Sequence, residues 1–250
     1  MNIVACVKRV PTTEAEAKIN GDGKGLDAQG QAHMISFYDE IALEQAVQTK
    51  ESLGGEVTVL TLGASDGTKE IRECMAKGAD KAVVMTDAEW ANRDARATAK
   101  AMAAKLGELG ADLVFMGKVA TDRDNAAVGP MTAVYLDWAC VTDVIELSID
   151  ASKGTAKRET EQGIETIEFS LPAIVTCNKG LNEPRYAGLK GIMAAKKKPL
   201  EEVSVELEAN QAQVESVELP AARAAGRIVG EGEAAVPALI EALQNEAKVL

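Results

Sequence analysis

The residues whose types and spacing could do chemistry lie between Gly117 and Gly129, in the stretch GKVATDRDNAAVG. An apolar run, Asp112 to Met116, precedes it, and a helix-forming segment, about Ala126 to Leu136, follows. Asp124 or Asn125 stands where a helix cap belongs. Backbone N–H groups at a helix N-terminus are unpaired and carry partial positive charge, so such an end binds anions. Ala126, Ala127 and Gly129 are small, which lets a phosphate approach the backbone; Asn125 and Val128 complete the candidate contact set. In open α/β sheets, ligands lie beyond the carboxyl ends of the strands. The companions at those ends are Ala5, Cys6 and Val7 after a first strand, and Leu62 and Gly63 after a second. The stretch is neither a Walker A nor a GxGxxG sequence, so spacing leaves two readings open: a nucleotide loop, or an ordinary capped helix.

Other chemistries have few residues to stand on. There is one histidine, His33, and no Ser/His/Asp set or Cys–His pair. Cys6, Cys74, Cys140 and Cys177 are scattered in apolar contexts without a CxxC pair, and read as small buried hydrophobes rather than a disulfide or zinc framework. If redox chemistry occurs, a cofactor does it and the protein positions it. A formal charge of −12 argues against nucleic acid as a partner. No apolar run is long enough to span a bilayer and no signal-peptide pattern opens the chain, so a soluble, reduced, intracellular protein is expected. That means cytoplasmic in a bacterium, or the mitochondrial matrix in a eukaryote.

The elements that must position the loop follow from periodicity. Hydrophobic residues are 46% of the chain and aromatics only 3%, so the core is built from Val, Ile, Leu and Ala. Apolar, β-branched runs at Asn2–Val7, Val57–Leu62, Lys81–Met85, Asp112–Met116 and Ala173–Cys177 read as buried strands. Helical spacing appears over Tyr38–Leu53, from a cap at Asp66 to Lys77, over Asn92–Leu109 and over Ala126–Leu136. Lys8 to Gln31 is a polar loop or hairpin turning at Asn20-Gly21-Asp22-Gly23. Short connections between alternating strands and helices mean βαβ units, and hence a doubly wound, mostly parallel α/β sheet. A hairpin around Glu161-Gln162-Gly163 adds antiparallel edge strands. The expected division is a nucleotide-binding domain over 1–199 and an acidic C-terminal arm over 200–250 that ends in a helix from Ala234.

Leu171 to Pro199 combines a buried strand, the polar segment Asn182-Glu183-Pro184-Arg185-Tyr186, an apolar tip of Leu189, Ile192 and Met193, and the basic run Lys196-Lys197-Lys198. A loop of about 182–198 with an exposed apolar tip and a cationic flank is built to touch another protein. The pattern VTxxxxLNEPRYAxLxxIMxAKKK closely resembles the signature of the β subunit of electron transfer flavoprotein. The resemblance extends from NIVACVKRVP through GKVATDRDNAAVGP and YLDW to AKKK.

This resemblance implies a Rossmann-like fold and a partner α subunit contributing most of an FAD site. It implies structural AMP in the pocket at Gly117–Gly129, with Ser36 and Tyr38 at the cofactor and Tyr38 near the flavin ring. Where many relatives carry polar side chains, this chain has Ala126, Ala127 and Val128, and Thr13 replaces a first-loop tyrosine. Leu189 matches the leucine that anchors a partner dehydrogenase, and Glu159 matches a glutamate that pairs with an α-subunit arginine. The implied function is an electron carrier without its own catalytic acid or base. It would accept electrons from acyl-CoA dehydrogenases or similar flavoproteins, as in fatty acid β-oxidation, and pass them to a quinone oxidoreductase. Two alternatives remain at this point: an electron-bifurcating relative with a second FAD in the AMP pocket, and a free-standing nucleotide-binding stress or signalling protein with the same core.

Overall fold

The computed structural model describes residues 1–27, 30–223 and 225–250. Five of its strands are the apolar runs of the sequence: β1 (Asn2–Cys6), β4 (Glu56–Gly63), β5 (Lys81–Thr86), β6 (Leu113–Gly117) and β10 (Ala173–Cys177). Between and around them lie β2 (Arg9–Pro11), β3 (His33–Ile35), β7 (Ala139–Ile149), β8 (Lys153–Thr160), β9 (Gly163–Ser170) and β11 (Leu200–Ser204). The helices are α1 (Phe37–Leu53), α2 (Thr68–Lys77), α3 (Ala95–Glu108), α4 (Val128–Leu136), α5 (Leu189–Ala195) and α6 (Val236–Glu241). The main sheet has the order β11-β5-β4-β1-β6-β10-β7-β8-β9; its strands are parallel from β11 to β7, and β7-β8-β9 is an antiparallel meander. β2 and β3 form a small separate antiparallel pair that opens and closes the polar excursion after β1.

Alternation along the strands divides the core in two. Ile3, Ala5 and Val7 face α1 and α2, while Val4 and Cys6 face α3 and α4. Burial on both faces is what a parallel sheet with helices on either side requires, and it explains the unbroken β-branched runs. β1 lies between β4 and β6, so the winding direction reverses between β1 and β6. A crevice opens at that reversal, beyond the carboxyl ends of the strands.

Several boundaries differ from the sequence expectation. The helix expected from Ala126 begins at Val128, and neither Asp124 nor Asn125 caps it; Asp124 and Ala126 instead take positive φ values of 48° and 49°. Asp66 is not the cap of α2. It lies in a 3-10 turn, Ser65–Gly67, and receives hydrogen bonds from Arg9 Nη1. The helix expected from Asn92 begins at Ala95, capped by Asp94, whose carboxylate accepts the Ala97 N–H at 2.7 Å. The 11-residue β7 carries no continuous apolar signal in the sequence, because Asp143 and Glu146 interrupt its apolar run. Asp143 sits at φ 60° where the register shifts, which lets β7 leave β10 and enter the hairpin. The C-terminal helix is shorter than expected, with a 3-10 turn at Glu233–Ala235, then α6, then a π-helical turn at Ala242–Ala247.

The largest difference concerns the arm. Leu200–Ser204 joins the sheet as β11, in register with Ala82–Thr86 of β5. Val203, Val205 and Leu207 pack on the α3 side of the core, and Asp94 accepts the N–H groups of Gln211 and Ala212. The sheet domain thus reaches about Ala212, not Pro199, because an acidic strand with alternate apolar residues can still cover a sheet edge. Beyond it the chain is largely exposed, including Val214, Leu219, Ile228, Val236, Leu239 and Ile240. Among the described residues no helix is long and apolar enough to cross a membrane. Truncation after Ala212 is expected to leave thermal stability of the sheet domain nearly unchanged. Truncation after Pro199 strips β11 and its apolar contacts and should cost about 2–5 kcal/mol; equal melting temperatures for the two truncations would refute this boundary.

Candidate functional site

The site is organised by Asp39, in the first turn of α1. Its carboxylate is buried; Oδ2 accepts the N–H of Lys8 at 2.8 Å and Oδ1 accepts the N–H of Gly117 at 2.8 Å. These N–H groups lie just past β1 and at the end of β6, so one side chain ties together the two strands where the winding reverses. Gly117 must be glycine, since a Cβ there would collide with Asp39 Oδ1 and the α1 backbone. Ser36, also buried, accepts the Thr121 N–H at 3.3 Å and fixes the start of the following loop. Lys8 Nζ reaches over to Asp122 at 2.7 Å, Arg123 Nη2 donates to Ala91 O at 2.5 Å, and Lys118 Nζ stands 5.4 Å above the Tyr38 ring. A cleft of about 440 Å³ lies among Tyr38, Lys118, Val119, Thr121 and Asp124.

The loop's polar backbone faces outward. Among the described residues, the N–H groups of Asn125, Ala126, Ala127, Val128 and Gly129 have no acceptor within the chain, and Met131 makes the first helical bond, to Ala127 O. Alternation of left- and right-handed backbone at Asp124, Ala126 and Ala127 presents such donors as an anion-binding concavity, reinforced by the positive end of α4. Asn125 and Ala126 are exposed, Ala127 and Val128 half-buried, and Gly129 buried, with a Cβ there meeting Thr176. The candidates at the strand ends behave differently. Ala5, Cys6, Val7 and Leu62 are buried in the sheet core and can offer only a wall. Gly63 opens instead onto a second cleft of about 380 Å³, shared with Thr86, Asp87, Trp90 and Ser204. Lys118 and Thr121 stand inside the GKVATDRDNAAVG stretch and Asp39 inside Phe37-Tyr38-Asp39-Glu40, but the sequence alone assigns no role to their side chains or to that of Lys8. FYDE at a helix entrance signals Asp39 only once Gly117 is known to face it.

Burial pushes the Asp39 carboxyl up to about 7, against the two backbone N–H groups and the Lys8 charge, which favour the ionised form. Burial likewise raises the thiols of Cys6 and Cys177, with the Asp39 charge adding to it, so neither is a nucleophile.

The partner-facing candidates lie elsewhere. Leu189 does not sit in an open loop; it begins α5, behind Gly188, and is 76% exposed. Ile192, Met193 and Tyr186 are exposed beside it, as are Lys196 and Lys197. Lys198 is not available to a partner. Its Nζ donates to Met75 O at 2.9 Å and Ala79 O at 2.6 Å at the carboxyl end of α2, where a cation is stabilising. Glu159 is exposed on β8, and its carboxylate has no ion-pair or hydrogen-bond partner among the described residues, while its neighbour Arg158 is engaged by Glu165 and Thr142.

Because the folded carboxyl of Asp39 titrates above its unfolded value of about 4, its contribution is fully present below pH 4 and lost as pH rises through about 7. Asp39→Asn cannot accept both N–H groups and should be less stable at acid pH, yet its stability should fall less between pH 4 and pH 7. Thermal melts across that window check the slope; parallel profiles for the two proteins would count against a raised Asp39.

The electron transfer flavoprotein domain family matches residues 25–208 of the chain. The chain is 36% identical over 260 residues to the electron transfer flavoprotein subunit beta of Bacillus subtilis (strain 168), covering all of both proteins. It is 39% identical over 219 residues to the protein of that name from Thermoanaerobacterium thermosaccharolyticum, covering 88% of this chain and 83% of the relative. The protein of that name from Bradyrhizobium diazoefficiens is 35% identical over 253 residues, again over the full length of both. A doubly wound sheet and full-length similarity of this order place the chain in the electron transfer flavoprotein β-subunit family.

Proposed function

We propose that this chain is the β subunit of a heterodimeric electron carrier that holds AMP at the start of α4, shares an FAD with an α subunit, and docks flavoprotein dehydrogenases through α5. The observation that carries the nucleotide reading is the row of five N–H groups without acceptors, Asn125 to Gly129, at a helix N-terminus. They are the donor set a phosphate needs, and they are backbone groups, so the replacement of polar side chains by Ala126, Ala127 and Val128 does not remove them. The cleft of about 440 Å³ beside them is of the size small-molecule sites usually have. When bound, the FAD supplies the electron transfer between dehydrogenase and quinone oxidoreductase. The chain's own residues position it: Tyr38 offers a ring face at the cleft, stiffened by Phe37 edge-on at 5.2 Å and Lys118 above. No side chain is asked to move a proton.

The exposed apolar residues past Ala212 support an arm that lies on the α subunit, since Ile228 is almost fully exposed and Val236 and Ile240 are only half covered in their own chain. The free charge of Glu159 supports the cross-subunit pairing with an α-subunit arginine.

Nucleotide released from the denatured heterodimer identifies the ligands. One FAD and one AMP are expected; two FADs would favour the bifurcating type. Ala126 already holds a side chain at positive φ, so Ala126→Glu adds a carboxylate at the phosphate position without a new backbone penalty. It should abolish AMP retention while leaving the melting temperature of the sheet domain intact; normal AMP content would place the pocket elsewhere.

For docking, Leu189→Ala should weaken binding of a reduced acyl-CoA dehydrogenase by about 2 kcal/mol, roughly thirtyfold. Folding, flavin and AMP should be unaffected, because the side chain is already exposed. An unchanged titration would remove the docking role from α5.

A further inference from the structure

We propose that Arg185 is a positioning residue, holding the entry to α5 in its binding-competent place through a double fork onto α1; this rests on the reading of α5 as the docking element. Arg185 Nε and Nη2 meet Glu44 Oε2 and Oε1 at 2.8 and 2.9 Å, and Nη1 and Nη2 meet Glu51 Oε1 and Oε2 at 2.6 and 2.9 Å. The Arg185 backbone N–H adds a contact to Glu44 at 3.2 Å. Glu44 is buried, which raises its carboxyl, but hydrogen bonds from Arg185 and Gln48 outweigh burial and hold it ionised below its ordinary range. Three residues upstream, Asn182 Nδ2 donates to Ile41 O and Gln45 Oε1, both at 3.1 Å, so the polar segment lies along α1.

The position of Arg185 gives the fork its role. Beyond it, Tyr186, Ala187, Leu189 and Lys190 make no side-chain hydrogen bond or ion pair within the described chain, and Gly188 O only accepts the first bond of α5, from Ile192. Arg185 is therefore the last anchor before Leu189. The other end of α5 is held separately. Arg72 Nη1 of α2 donates to Ala195 O and Lys198 O, both at 2.6 Å, and Gly191 packs so closely on Ala76 O that a Cβ would collide with it. From Gly191 onward the docking helix is thus held on α2, while the chain leading into Leu189 is held by the Arg185 guanidinium. A lysine keeps the charge but is a point donor that cannot serve two carboxylates in fork geometry.

If losing the fork lowers the population of the competent placement tenfold, the apparent affinity falls by the same factor, about tenfold. The test compares wild-type, Arg185→Lys and Leu189→Ala heterodimers in electron transfer from a reduced acyl-CoA dehydrogenase, with amide exchange measured in parallel. Arg185→Lys should raise KM for the flavoprotein about tenfold with kcat within about twofold. It should speed exchange over residues 186–195 only, and leave exchange in α1 and β10 unchanged. Wild-type KM and exchange in Arg185→Lys, with KM raised in Leu189→Ala, would overturn the positioning role while docking through α5 stands. Faster exchange throughout α1 would also overturn it, because the fork would then be part of general stability. If Leu189→Ala leaves KM unchanged, the docking reading fails, and exchange over 186–195 alone decides whether Arg185 places α5.

Discussion

The contact on which the structure depends is the Asp39 carboxylate, wedged between the N–H groups of Lys8 and Gly117. A doubly wound sheet has a weak line where its winding reverses, because the crossover helices diverge to opposite faces there and the strand ends are left open. Asp39 closes that line from beneath by satisfying one donor from each side. A buried carboxylate is costly unless hydrogen-bonded, and here the backbone of two strands supplies the bonds. The loop that follows β6 is consequently held at its root, by Asp39 and Ser36, and left with free donors at its tip.

Helix α1 carries this arrangement at its first turn and a different one farther along. Asp39 and Tyr38 face the loop after β6, Glu40 binds Lys77 of α2 at 2.7 Å, and Glu44 and Glu51 receive Arg185. One 17-residue helix thus connects the cleft with the segment that leads into α5 through packed and ion-paired contacts. The ion pairs are of unequal worth. Glu44 is buried and bidentate, so its loss would strand a charge, whereas exposed pairs such as Arg227–Glu246 contribute little. The same distinction divides the lysine run: Lys198 closes the end of α2, and Lys196 and Lys197 remain as exposed charges.

Much of the fold was legible in the order of residues. The five parallel strands of β-branched residues, the helices between them and the edge hairpin all follow from local periodicity, because burial on both faces demands continuous apolar runs and burial on one face demands a stripe. The loop before α4 was legible for a similar reason: small residues after a strand and before a helix leave backbone donors exposed wherever the helix begins. The residues 124 to 126 misled on detail. Asp124 and Asn125 look like caps, but the left-handed turn at Asp124 and Ala126 spends those positions on the concavity and starts α4 two residues late.

Sequence alone therefore determined the five apolar strands and the edge hairpin, the location of the loop and an apolar, lysine-flanked tip at Leu189, since each is written in neighbours a few positions apart. It could not decide which polar groups meet. Asp39 and Gly117 are 78 residues apart, Glu44 and Arg185 are 141 apart, and Lys198 finds α2 carbonyls more than 100 residues away. Nor could it tell that Leu200–Ser204 covers the edge of β5 and so belongs to the sheet domain. Such contacts depend on strand order and helix placement, and a charged residue in a sequence looks the same whether water or a backbone amide will face it.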